Sequence, residues 1–151
     1  MKKIIALIPA FFLTLAAWGL DAKGVSKMKI SIQITRDGQS QTIGASLTDN
    51  SSAAAFYEAL KKAPVKVKMK DYGNFEKVGP LGQSFPKNDE PITTSPGDII
   101  LYQGNQITIY YDKNSWTFTR LGKIDGLSQA QLKKILGPGD ITAVFSAEQS
   151  Q

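Results

Sequence analysis

The sequence contains no cysteine and no histidine. Without cysteine there is no disulfide, no thiolate nucleophile and no cysteine-ligated metal centre. Without histidine there is no Ser-His-Asp triad and no histidine-ligated haem. Arginine is scarce as well, confined to Arg36 and Arg120. Chemistry in this chain would have to come from Asp, Glu, Lys, Arg, Tyr, Ser or Thr. What remains is an ordinary globular mixture: 42% hydrophobic, 21% charged and 9% aromatic in 151 residues, with a net charge of +5. That is enough apolar material for one domain with one core.

Long apolar runs are also rare. Just one is present, from Ile4 to Leu20 behind Lys2 and Lys3. A basic start, an apolar middle and small residues near its end predict a signal peptide over residues 1–22, cleaved after Gly19 or Ala22. The competing reading is a retained membrane anchor. As a helix the run reaches roughly 25 Å, short of a ~30 Å hydrocarbon core, and Pro9 interrupts it. No cysteine follows the run, which excludes a lipoprotein. The expected product is exported, periplasmic or secreted, with no stable membrane insertion after cleavage. An exported address makes nucleic acid an unsuitable partner, and the mild positive charge allows weak attraction to an anionic surface.

Beyond the leader, period-two alternation dominates. Met28, Ile30, Ile32 and Ile34 alternate with polar residues and predict a strand over 27–36. Asp37-Gly38 is a turn into a return strand over 42–47. Asn50 and its neighbours offer N-caps for a helix over 51–63, ended by Pro64. Strict alternation resumes over 64–70. Residues 72–90, rich in Gly and Pro, read as a long loop, with a short strand near 81–85. Strands are expected over 99–102, 107–111, 116–121 and 140–145, with a loop over 122–126 and a short helix from Ser128 to Leu136. The domain is expected to span 23–146, followed by a flexible tail over 147–151. Seven or eight closely spaced antiparallel strands favour a closed barrel or a sandwich.

Four segments occur in order: Thr48-Asp49-Asn50-Ser51-Ser52-Ala53-Ala54-Ala55-Phe56, Asp71-Tyr72-Gly73-Asn74-Phe75-Glu76-Lys77, Pro96-Gly97-Asp98-Ile99 and Leu121-Gly122-Lys123-Ile124-Asp125-Gly126. In this order and spacing the chain resembles the bacterial cyclophilin-like proteins, a family distinct from the true cyclophilins. The resemblance runs from about Lys27 to Phe145. It implies an all-β, mainly antiparallel fold: a cyclophilin-like closed β-barrel with two short capping helices. It does not carry prolyl isomerase activity with it. True cyclophilins have an Arg, a Phe five residues later and a Gln three beyond that. Here Gln41 follows Arg36 at that spacing and Asp125 follows Arg120, so the motif is absent.

The candidate site residues lie in the polar-aromatic loops. Tyr72 and Phe75 are expected to line a groove, with Asn74 beside them and Glu76 and Lys77 orienting a polar group. The alternative is a loop that packs its rings and pairs its charges locally. Phe85 and Pro86 are candidates for a groove rim or for a proline-stiffened connection. Arg120 shares a strand face with Trp116 and Phe118, an arrangement able to hold a carbonyl or carboxylate, or to stack outward on exposed rings. Lys66, Lys68 and Lys70 form a stripe, read either as a contact for an anionic polymer or as a solvated or edge-protecting face. Asp71, Glu76, Asp89 and Glu90 are read mainly as solvated loop charges, with a glycosidase pair or a calcium site as remote alternatives. No catalytic residue, metal or cofactor is assigned. The expected function is an exported, non-catalytic module binding a peptide or small ligand. The alternatives are a divergent peptidyl-prolyl isomerase and an envelope protein binding anionic polymer.

Overall fold

The computed structural model describes residues 28–149. The expected signal peptide, its cleavage site and residues 150–151 of the expected tail lie outside the described residues. β1 (Lys29–Arg36) and β2 (Gln39–Leu47) form a hairpin across Asp37-Gly38. Both turn residues have positive φ, 52° and 76°, the geometry of a tight turn whose twist matches that of the strands. The remaining strands are β3 (Val65–Tyr72), β4 (Glu76–Pro80), β5 (Glu90–Thr93), β6 (Asp98–Tyr102), β7 (Gln106–Tyr110), β8 (Ser115–Ile124) and β9 (Ile141–Ala147).

All strand pairings are antiparallel, in the order β2-β1-β9-β3-β4-β7-β6-β8. A further pairing of β2 with β8, through Ala45–Ile124, Ser46–Lys123 and Leu47–Gly122, closes the ring. The result is an eight-stranded closed barrel, and β5 lies on β8 outside the ring. Closure leaves no free edge within the ring. A barrel of this size is filled by its own side chains. Ile30, Ile32 and Ile34 from β1, Val67 and Met69 from β3, Ile107 and Ile109 from β7, and Phe145 from β9 are buried in that interior.

The helix α1 (Ser51–Lys62) starts at Asn50, whose side chain accepts the backbone N–H of Ala53 at 2.7 Å. It buries Ala53, Phe56 and Leu60 and packs on β8 and β9. A capping box at Ser128 and Gln131 opens α2 (Gln129–Leu136), which contributes Leu132 and Leu136 to the same core.

The strands differ from expectation in several places. β4 occupies part of the expected 72–90 loop, because Glu76-Lys77-Val78-Gly79-Pro80 lacks a period-two pattern and carries two turn-forming residues. Gly79 is required there by close approach: a Cβ would overlap Lys68 O on β3. The expected strand near 81–85 is absent, and that segment is held by bonds from Leu81 N to Asn105 O and Phe85 N to Gly104 O. β5 carries Pro91, which its position on the outer rim of the sheet tolerates. Finally, β8 continues through Gly122 to Ile124, and β9 to Ala147, with Glu148 N bonded to Lys29 O. Lys66, Lys68 and Lys70 are exposed on β3, as the alternation requires. Since β3 pairs on both sides, they form a solvated outer face and protect no edge.

Candidate functional site

The outer face of a small barrel normally faces water. Here the outward positions of β4, β7, β6 and β8 are instead largely apolar and aromatic. Ile100, Tyr110 and Phe118 are buried outside the barrel and join Ile92 of β5 in a second cluster, against which Phe75 and Tyr102 pack. This cluster floors a groove of about 480 Å³. Tyr72, Phe75, Tyr102, Tyr110, Trp116 and Phe118 supply its rings, and Glu76, Gln106, Thr108 and Asn114 its polar atoms. Tyr72 and Trp116 are 63% and 62% exposed, the large apolar side chains most open to solvent among the described residues, and both line this groove.

The turn between β3 and β4 sets one wall. Gly73 and Asn74 have φ of 62° and 57°, and a Cβ on Gly73 would overlap the Phe75 ring. Glycine thus lets Phe75 fold back over its own turn. The Phe75 ring lies parallel to that of Tyr110, with centroids 6.0 Å apart, and receives the edge of Tyr72 at 5.8 Å. Tyr110 in turn meets Phe118 at 5.7 Å.

Glu76 stands opposite Tyr72 and Tyr110 in the sheet register. It is 7% exposed, and its Oε2 is buried with no hydrogen-bond partner. Burial pushes its carboxyl above the usual carboxylate range; the Tyr110 hydroxyl opposes that shift and the charge of Asp71 adds to it. The Tyr110 hydroxyl is itself pushed up by burial and by Glu76.

Of the candidate site residues, Tyr72, Phe75 and Glu76 meet in this groove, joined by Trp116 and Phe118, the rings expected beside Arg120; the other candidates do not line it. Lys77 follows Glu76 along a strand and so points to the opposite face. Its side chain is wholly buried, and Nζ donates to Asp71 Oδ1, Gly137 O and Gly139 O at 3.1, 2.7 and 2.6 Å. It ties β4 to the α2–β9 connection and has no atom available to a ligand. Asn74 lines a different, shallow hollow with Tyr111 and Pro138. Phe85 packs edge-on against Phe56 at 5.6 Å, and Pro86 O accepts from Ser52. Arg120 lies beyond Phe118 on the outer side of β8, where it pairs with the buried Asp98 at 3.1 Å. Among the four loop carboxylates, Asp71 faces Lys77 and Tyr111, Asp89 accepts from Thr119, and Glu90 is exposed. Among the described residues no group of three or more potential metal ligands comes together.

The rings from β6 and β7, Tyr102 and Tyr110, were the part of the groove that sequence reasoning missed. A signal existed: Ile99-Ile100-Leu101-Tyr102 is apolar on both faces, as befits a strand covered on both sides.

The model of the cyclophilin-like family matches residues 34–146, most of the chain. The chain belongs to the cyclophilin-like family. The closed barrel is the fold that membership leads one to expect. No curated protein matches the chain. Among solved structures, this cyclophilin-like barrel is similar to the solution structure of the hypothetical protein AF2241 from Archaeoglobus fulgidus, with a TM-score of 0.56 and 13% identity over 81% of this chain and 95% of that one. At that identity the likeness is one of fold.

Proposed function

We propose that this cyclophilin-like barrel is a non-catalytic binding module that holds a peptide segment or small molecule in the groove between Tyr72 and Trp116. The observation that carries this reading is the pair of exposed rings at the two rims of one apolar groove, on a barrel whose neighbouring outer face carries lysines. Its volume is in the range of small-ligand sites, and apolar surface gathered in one concave patch marks an interaction site. The placement of the arginines favours binding over prolyl isomerisation. Arg120 is engaged by Asp98, and Arg36 donates to Lys134 O beside α2, so neither lines the groove. An exported location belongs to the same proposal and is supported by the basic start and apolar run over residues 1–20.

The test is an NMR titration of the purified protein with a mixed Xaa-Pro peptide library and a small aromatic fragment set. Trp116→Phe assigns the Trp116 indole. Shifts confined to Trp116, Phe75 and Tyr110, with unchanged prolyl cis/trans exchange, are the expected result. Accelerated exchange at catalytic protein levels would replace this reading with an isomerase. No groove shift with any probe would remove it.

A further inference from the structure

Glu76 lies in this groove with no positive partner. The chain carries a net charge of +5, yet among the described residues no Lys or Arg lines the groove, and the neighbouring Lys77 is turned to the other face of β4. Glu76 is 7% exposed and its Oε2 is buried without a partner. A buried acceptor left without a donor is costly, and more so when charged. Such an atom, on a residue that lines a groove of six aromatic rings, calls for a hydrogen-bond donor. The rings around it offer π faces, which attract cations. A carboxylate and π faces together select a positive group. The free Oε2 further requires that this group carry N–H, which a quaternary ammonium lacks.

We propose that the groove is an amine-binding site, in which Glu76 accepts charge-assisted hydrogen bonds from a protonated primary or secondary amine whose alkyl stem lies on Phe75, Tyr110 and Trp116. This rests on the groove being a binding site, and names what it binds. Two sources share the chemistry: a lysine side chain of a peptide segment, or a free small amine.

The environment of Glu76 gives the site a pH dependence of definite sign. The titratable groups nearest it are Tyr72 from β3, Tyr110 from β7 and Tyr102 from β6, which share the groove, and the charge of Asp71 acts from the other face of β3. Asp71 is held below the usual carboxylate range and Tyr110 above the usual phenol range. Glu76 is raised by burial, so in the empty groove it holds its proton to higher pH than a free carboxyl. Amine binding needs the ionised form, and therefore strengthens as pH rises through that value. A ligand offering only a carbonyl would need the protonated form and would weaken over the same range.

The experiment compares four probes by shifts at the Trp116 indole and the Phe75 and Tyr110 rings: n-butylamine, n-butanol, an end-blocked Gly-Lys-Gly peptide and its norleucine counterpart. The expected result is binding of an amine probe at least tenfold tighter than its neutral counterpart, strengthening from pH ~5 to ~8. Glu76→Gln is expected to remove that preference while retaining the ring contacts of the neutral probes. Butylamine binding as tightly as the lysine peptide would assign a free amine, and a preference for the peptide a lysine-bearing segment. Equal binding of amines and neutral probes, or binding that weakens as pH rises, would overturn the amine assignment and leave the binding module standing. No groove shift with any of the four would count against both.

Discussion

Lys77 Nζ sits 3.1 Å from Asp71 Oδ1, with the lysine side chain fully buried and that of the aspartate 22% exposed. Two backbone carbonyls, of Gly137 and Gly139, complete the ammonium's partners, and its charge lies 5.8 Å from the Tyr111 ring centre. Tyr111 also donates to Asp71 at 2.5 Å. The lysine that seemed suited to a ligand instead joins β4 to the segment between α2 and β9.

Replacing Lys77 with Met should therefore weaken the fold and leave the groove intact. Methionine fills much of the space but satisfies neither carbonyl, and it leaves Asp71 without its cation. Removing one member of a buried ion pair costs about 3–5 kcal/mol; the partial exposure of Asp71 puts the expected loss near the lower end, about 3 kcal/mol. Urea unfolding monitored by tyrosine and tryptophan fluorescence measures it. A loss below about 1 kcal/mol would show that the network contributes little.

Asp71 should make the same network acid-sensitive. Burial disfavours its ionisation, but the hydrogen bonds from Tyr111 and Lys77 and the lysine charge outweigh it and lower its pKa. A carboxyl with a depressed folded pKa contributes stability above its unfolded value of ~3.9 and loses it as pH falls through the folded value. The wild type should lose stability more steeply below pH ~4 than Asp71→Asn, whose remaining carboxyls still titrate. Parallel acid unfolding curves for the two proteins would contradict this.

Barrel closure depends on a glycine. Gly122 pairs with Leu47 at the β2–β8 seam, where a Cβ would overlap Ser46 O and come within 2.9 Å of Leu47 Cα. Both are backbone atoms and cannot turn aside as a flexible side chain would. Gly122→Ala is expected to destabilise the protein by about 1–3 kcal/mol or more, the usual cost of overpacking. Hydrogen exchange should locate the damage, with the amide of Thr48, bonded to Leu121 O, losing protection before those of β7. Loss of protection spread evenly over the barrel would argue against a local seam.

Gly122 also shows why parts of the fold were hard to read. Period-two alternation made β1, β3 and β9 visible, because one face meets the core and the other meets water. Capping chemistry made α1 and α2 visible through Asn50 and Ser128. Where a glycine serves close approach between strands, as at Gly79 and Gly122, the same residue reads locally as a breaker, and β4 and the end of β8 read as loops. The groove was half legible. Tyr72, Phe75 and Glu76 form a dense local stretch, whereas Tyr102, Tyr110, Trp116 and Phe118 join them only through pairings across β7, β6 and β8. Arg120 drew attention by its neighbours in sequence, but its partner Asp98 lies on β6.

Glu76 supplies the prediction with the least ordinary sign. A buried polar group usually stabilises once it is paired, but Glu76 Oε2 has no partner, and burial raises its pKa. An acid raised in the folded state binds more protons folded than unfolded between its two pKa values. Its presence therefore costs stability as pH rises from its unfolded value of ~4.3 through the higher folded value, and the full cost remains above that. Glu76→Gln keeps the shape and cannot ionise. It should be more stable than the wild type at neutral pH by about 1–2 kcal/mol, with the difference shrinking toward zero below pH ~4. Denaturant unfolding at several pH values checks both size and sign. A variant equally or less stable at neutral pH, or a gain that persists unchanged in acid, would show that Glu76 is at ease in the folded protein. In that case its carboxylate would not need the donor that an incoming amine supplies.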